Sequence, residues 1–356
     1  MGDDRLVPRD SAVYREFVRL YQLVREMRPI SVDRWNGDLY ATDSQRWGGF
    51  DPRTGRIRLS DDRVLRHLTG SRSEADPDAQ AEALATVLHE STHTGMETDA
   101  PSEPNAVRST HSRGLMEGFA ELRTFEDFDA FTRRAGYPGL RVYEAKYPGA
   151  YAATESLMTQ VEGARLSRDA ILNAGTQGPV AMHFDQLAEA VVRNRLGEVV
   201  PGRGVDRVRV RAALIATMTH EHWPTLPDRS AETGQAVAED IRRALNAKVD
   251  EIRRHYRANP TRPFPADSPN AEAARTAVRE VPAATAEARN AGGEERSAVG
   301  EERGEMRFLS GQAPAAQATR LVPALGDGSR GAGAVRVPGA RRASAARPGP
   351  THPGRQ

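Results

Sequence analysis

The chain has 356 residues, 38% of them hydrophobic and 6% aromatic, with 23 prolines, which implies two to three domains or one domain with unfolded ends. Basic and acidic side chains nearly cancel, 50 against 49, so a net charge of +1 gives no global field for a nucleic acid or an anionic membrane. Cysteine is absent, which excludes disulfides and thiolate metal sites and leaves His, Asp and Glu as the only strong metal ligands.

The first residues, Met1-Gly2-Asp3-Asp4-Arg5, carry acids and lead into no apolar run, so no secretory signal is expected. No stretch of about 18 apolar residues occurs, so no spanning helix is expected either. Together with the lack of cysteine, these features point to a cytoplasmic protein. Two lysines, Lys146 and Lys248, stand beside 48 arginines, as in the codon usage of a GC-rich bacterial genome.

In chain order, Val13, Phe17, Leu20, Tyr21 and Val24 recur at helical spacing over 10–28, and Pro29 ends that helix. Leu39-Tyr40-Ala41 and Arg56-Ile57-Arg58-Leu59 read as short strands around the turn signals Gly48-Gly49 and Pro52-Arg53-Thr54-Gly55. Residues 62–68 read as a short helix or turn. Asp76-Pro77 then supplies an N-cap acid and a first-turn proline for a strong helix to about His93, which Gly95 stops. Ser112 is placed to cap a helix over about 113–134, terminated by Gly136 and Pro138. Further helices are expected at about 142–165, 182–196, 206–219 and 230–257. The fold class is therefore α+β, predominantly α-helical, with one small antiparallel β element ahead of the 76–95 helix.

From about residue 259, Pro, Ala, Gly, Arg and Glu dominate and large apolar residues lose their period. Such a segment cannot bury enough apolar surface to offset its chain entropy, so 259–356 is expected to be a disordered tail. Its end is basic through Arg330, Arg336, Arg341, Arg342, Arg347 and Arg355, a weak contact for an anionic partner at most. Residues 1–258 form the folded part: 1–75 a helix and the β element, 76–134 the two central helices, 135–258 a helical subdomain.

Leu88-His89-Glu90-Ser91-Thr92-His93 contains the pattern His-Glu-x-x-His towards the end of the best-defined helix. Positions i and i+4 share a helix face, so both imidazoles can bind one metal from the same side. Glu90 lies about 100° around the helix from His89, near enough to reach a water on that metal. Two neutral nitrogens fix zinc without cancelling its charge, and the carboxylate takes the water proton as the nucleophile forms. An open catalytic site needs a third protein ligand, for which a carboxylate on an adjacent helix is a standard supply. Residues 115–121 read Leu115-Met116-Glu117-Gly118-Phe119-Ala120-Glu121, in the following helix.

Over residues 88–122 the sequence resembles the gluzincin metallopeptidases, the group of thermolysin-like enzymes and zinc aminopeptidases. That resemblance implies one zinc per chain held by His89, His93 and Glu117, with Glu90 as catalytic base. It also gives Glu121 the role of accepting the remaining ring N–H of a zinc histidine, fixing its tautomer. Gly118 and Ala120 are small, which suits close packing against the His helix. The spacer between the motifs is longer than in the best-known members, so no subfamily is assigned. Asp99, His111, His220 and His222 remain alternatives as third ligand.

Gluzincins also carry a Tyr or His as oxyanion donor well downstream of the glutamate. The candidates are Tyr143, Tyr147 and Tyr151, with Tyr151 preferred because it opens a periodic stretch, and a downstream His stays open. By the same analogy, Gly55 to Ser60 would be the edge strand that pairs with an extended substrate. The expectation is hydrolysis of peptide bonds in a peptide or protein. One alternative is a toxin-like or mobile-element-associated protease, and another is a non-catalytic helical binding module with a structural or degenerate metal site. A carboxylate left outside the ligand set, Glu90, favours catalysis, since structural sites close all four positions.

Overall fold

The computed structural model describes residues 4–30, 32–69, 76–96, 99–108, 110–201 and 204–266. The expected tail falls largely outside these residues, and so does its basic end.

Helix α1 (Ala12–Met27) starts at Ser11, whose hydroxyl accepts the Tyr14 N–H, and it turns Phe17, Leu20, Tyr21 and Val24 inward. Four short strands follow the pattern β1 (Arg5–Leu6), β2 (Leu39–Thr42), β3 (Gly48–Asp51) and β4 (Arg56–Ser60), in the sheet order β1-β2-β4-β3. The sheet is mixed, which corrects the expected antiparallel element. β1 and β3 pair antiparallel with their neighbours, but β2 runs parallel to β4, Leu39 opposite Ile57. The hairpin turn at 52–55 places β3 on the outside of β4, so β4 becomes an inner strand and β3 an edge. Gly55 makes this turn possible with a φ of +71°.

Helix α2 (Pro77–His93) is capped by the Asp76 carboxylate, which accepts the Ala79 N–H at 3.0 Å. From Gln80 to His93 all but one of its side chains are buried, as expected of a central helix surrounded by other elements. Helix α3 (Thr110–Ala135) begins earlier than predicted, and the Ser112 hydroxyl donates to the Val107 carbonyl instead of capping. Gly136, at φ +90°, follows its end.

The remaining helices are α4 (Pro148–Val161), α5 (Arg168–Gly175), α6 (His183–Val191), α7 (Val205–Met218) and α8 (Ala231–Ala258). α6 runs on into a wider turn at Val192–Leu196. α4 starts at residue 148 and not 142 because Pro148 occupies its first turn, where a missing N–H costs nothing. α5 was not anticipated.

Two apolar cores result. One packs α1, the sheet and α2 with Phe128 and Phe131 of α3. The other joins α4, α6, α7 and α8 with Leu115, Phe119 and Leu122 of α3. The boundary of the folded part moves from 258 to at least 266, because Phe264 is 2% exposed and packs in the second core. Gly118 does serve close packing, though against α4 and not the His helix. A side chain there would run into Thr154 and the Ala150 carbonyl.

Candidate metal centre

The last two turns of α2 and the middle of α3 face each other between the two cores. His89 and His93, one turn apart, present their Nε2 atoms 3.1 Å from each other. Glu117 Oε2 stands 3.3 Å from His89 Nε2 and 3.3 Å from His93 Nε2. All three side chains are buried. Among the described residues, His89, His93 and Glu117 are the one group of three or more His, Asp and Glu donors close enough to hold a metal ion. A single proton can serve only part of such a triangle, whereas a cation at its centre is attracted by all three atoms.

Glu121 follows Glu117 by one turn, as the sequence implied, and its Oε1 lies 3.5 Å from His89 Nδ1. That is within ion-pair reach and too long for a good hydrogen bond. The Lys146 backbone N–H also donates to Glu121. Glu90 does not belong to the triangle. It is buried, and the Phe50 backbone N–H on the edge of β3 donates to its carboxylate. Beside it, an ideal Cβ on Gly48 would come within 2.8 Å of Glu90 Oε1. The strand therefore needs glycine there to let the carboxylate pass.

Three carboxylates share this buried space with two imidazoles. Burial opposes charging of His89, but Glu117, Glu121 and Glu90 outweigh it and push its pKa up to about 9. His93 is raised for the same reason, burial being overcome chiefly by Glu117. Burial also raises Glu90 and Glu121, against the pull of the histidines. For Glu117 burial acts upward as well, yet His93 and His89 hold it well below the usual carboxylate range. Two raised histidines beside a lowered Glu117 mean that the triangle favours positive charge among its donor atoms.

Tyr147 is the tyrosine at the centre, correcting the preference for Tyr151. Its ring lies 5.5 Å from that of His89, at the N-cap of α4. Burial and the charges of Glu117, Glu90 and Glu121 raise its pKa, so the hydroxyl stays a proton donor. Tyr151 packs instead on Phe125 at 4.8 Å and lines neither cleft described below. Tyr143 is exposed.

Of the alternative ligands, Asp99 lines the larger cleft but stays outside the donor group, accepting from Arg108 and the Ala100 N–H. His220 lies 3.8 Å from Asp240, its ring beside that of His222. His111 is outside the group as well.

Two clefts of about 730 and 540 Å³ open onto the centre, and Gly48, Glu90, Glu117 and Tyr147 line both. β3, not the expected 55–60 segment, borders them, because β4 is enclosed between β2 and β3. The segment 99–108 forms part of the larger cleft's wall, held by Asn105 to Asp185 at 2.8 Å and by the Val107 N–H to the Ala181 carbonyl. No helix among the described residues is long and apolar enough to cross a membrane.

Comparison with protein-family models, with curated proteins and with solved structures finds no match to this chain. The site alone therefore carries the functional argument.

Proposed function

We propose that this chain is a zinc-dependent peptidase of gluzincin type, with His89, His93 and Glu117 as zinc ligands and Glu90 as general base. The observation that carries the reading is the donor triangle with a carboxylate held just outside it. Tetrahedral zinc with Zn–N near 2.05 Å separates its ligand atoms by roughly 3.3 Å. The three separations here are 3.1, 3.3 and 3.3 Å. Zinc so held supplies Lewis acidity, lowering the pKa of nearby water and polarising a carbonyl.

The chain's own groups account for the rest. Glu90 accepts the proton of the attacking water, and the Phe50 N–H fixes its direction. The same carboxyl is placed to pass that proton on to the leaving amine. Tyr147, kept protonated, donates to the oxygen on which negative charge develops. Glu121 steadies His89 from the far side of the ring. An extended peptide would lie along the edge strand β3, whose glycines admit a close backbone approach.

The test combines metal analysis with cleavage of quenched fluorescent casein. The wild type should carry about one zinc per chain and cleave, and His89→Ala, His93→Ala and Glu117→Ala should lose most of the metal. Glu90→Gln should keep zinc and lose cleavage by about 10²–10⁴-fold, the size of a general-base contribution. Tyr147→Phe should keep zinc and lower kcat. Full zinc in Glu117→Ala, or wild-type cleavage by Glu90→Gln, would sink this reading.

A further inference from the structure

The larger cleft carries both signs of charge, with Glu90, Asp99 and Glu117 in its lining. Arg34, Arg46, Arg108 and Arg113 all line it. Arg108 is neutralised by Asp99, and Arg34 is tied to the Pro52 carbonyl. Arg46 and Arg113 are different. Both are exposed, both line the two clefts at once, and neither forms an ion pair or hydrogen bond among the described residues. Arg113 sits one turn before Glu117 on α3, on the same face. Arg46 sits two residues before Gly48, at the start of the β3 edge, and its charge is felt at Tyr147. The centre is thus flanked by two guanidinium groups, one on the sheet wall and one on the helical wall. An exposed guanidinium without a partner is free to pair, and its planar fork matches a carboxylate bidentately.

We infer that Arg46 and Arg113 bind acidic side chains of an extended peptide laid across the centre, so that the preferred substrate carries Glu or Asp beside the bond cleaved. This rests on the peptidase reading above and names its substrate class. A peptide fits better than a nucleic acid because the cations are few and local, and the whole chain's charge is only +1. Phosphate recognition along a strand would call for a longer basic track. Glu90 and Glu117 line the same clefts, so the two arginines act by pairing locally with an acidic side chain and not through a field over the whole cleft.

The experiment uses the full-length Glu90→Gln chain and a fluorescein-labelled octapeptide with two Glu on each side of a central Ala-Phe, compared with its Gln counterpart by anisotropy at low salt. The Glu peptide should bind about tenfold or more tightly than the Gln peptide, with each of Arg46→Gln and Arg113→Gln removing about threefold of that preference. The double variant should bind both peptides alike, and Arg46→Glu with Arg113→Glu should prefer a Lys peptide. Equal binding of Glu and Gln peptides, no binding of either, or a preference that survives in the double variant overturns the inference. So does displacement of the peptide by a single-stranded oligonucleotide at far lower concentration than by unlabelled Glu peptide. Cleavage by the wild-type chain separates this inference from the reading it rests on. Glu and Gln peptides cut at equal rates would remove the arginine site and leave the peptidase. Arginine-dependent binding of the Glu peptide, with neither peptide cut, would remove the peptidase and leave the site.

Discussion

Gly48 is the residue on which the position of Glu90 turns. A methyl group there would meet the carboxylate at 2.8 Å, and the neighbour is the end of a side chain able to swing aside. Gly48→Ala should therefore fold with little loss, about 1 kcal/mol or less, yet move Glu90 and, on the proposed peptidase reading, lower cleavage by roughly 10-fold or more. A variant with wild-type kcat would mean that Glu90 need not sit where β3 holds it. The titration of His89 gives a second prediction. Its pKa in the metal-free fold is raised from 6.5 to about 9. A raised group stabilises fully below its unfolded value and ceases to as pH climbs through the folded one, so the Tm of metal-free protein should fall between pH 6.5 and 9. Metal must displace that proton, so the gain in Tm on adding zinc should grow over the same interval. A metal-free Tm that rises across it would contradict the arrangement.

At the scale of elements, legibility followed locality. His89 with His93, and Glu117 with Glu121, could be paired from the sequence because i, i+4 spacing fixes which side chains share a helix face, while only the resemblance brought the two pairs together. Tyr147 could not be singled out from Tyr143 and Tyr151, since its place depends on where α4 begins, and only the proline at 148 marks that start. β3 is four residues, two of them glycine, and gives almost no strand signal. The parallel pairing of β2 with β4 is a long-range choice that no local pattern announces. Arg28 shows the same limit for one side chain among 48 arginines. It grips Asp127 of α3 bidentately at 2.6 and 2.8 Å and reaches Asp169 and Asn173 of α5 at 2.7 and 2.6 Å. Arg28→Met would strand a buried carboxylate, and a loss of roughly 3 kcal/mol is expected in urea titration. A loss below about 1 kcal/mol would show that Arg123, 3.4 Å from Asp127, suffices alone.

On the scale of the whole molecule, the candidate metal centre lies at a seam. α2 contributes to one core, and α3 runs through both. Its 26 residues make a rod roughly 39 Å long. Loosening of either core alone leaves this rod packed in the other, so its amides have no partial opening through which to trade their hydrogens for deuterium. In native-state exchange the protons of Leu115 to Phe131 should be among the last replaced, and at the rate of global unfolding. Those of α8, which packs in one core only, should exchange earlier through openings confined to that core. The two halves would then report different free energies while sharing one slowest helix, and the chain could not be divided into two independently folding pieces without cutting the element that carries Glu117.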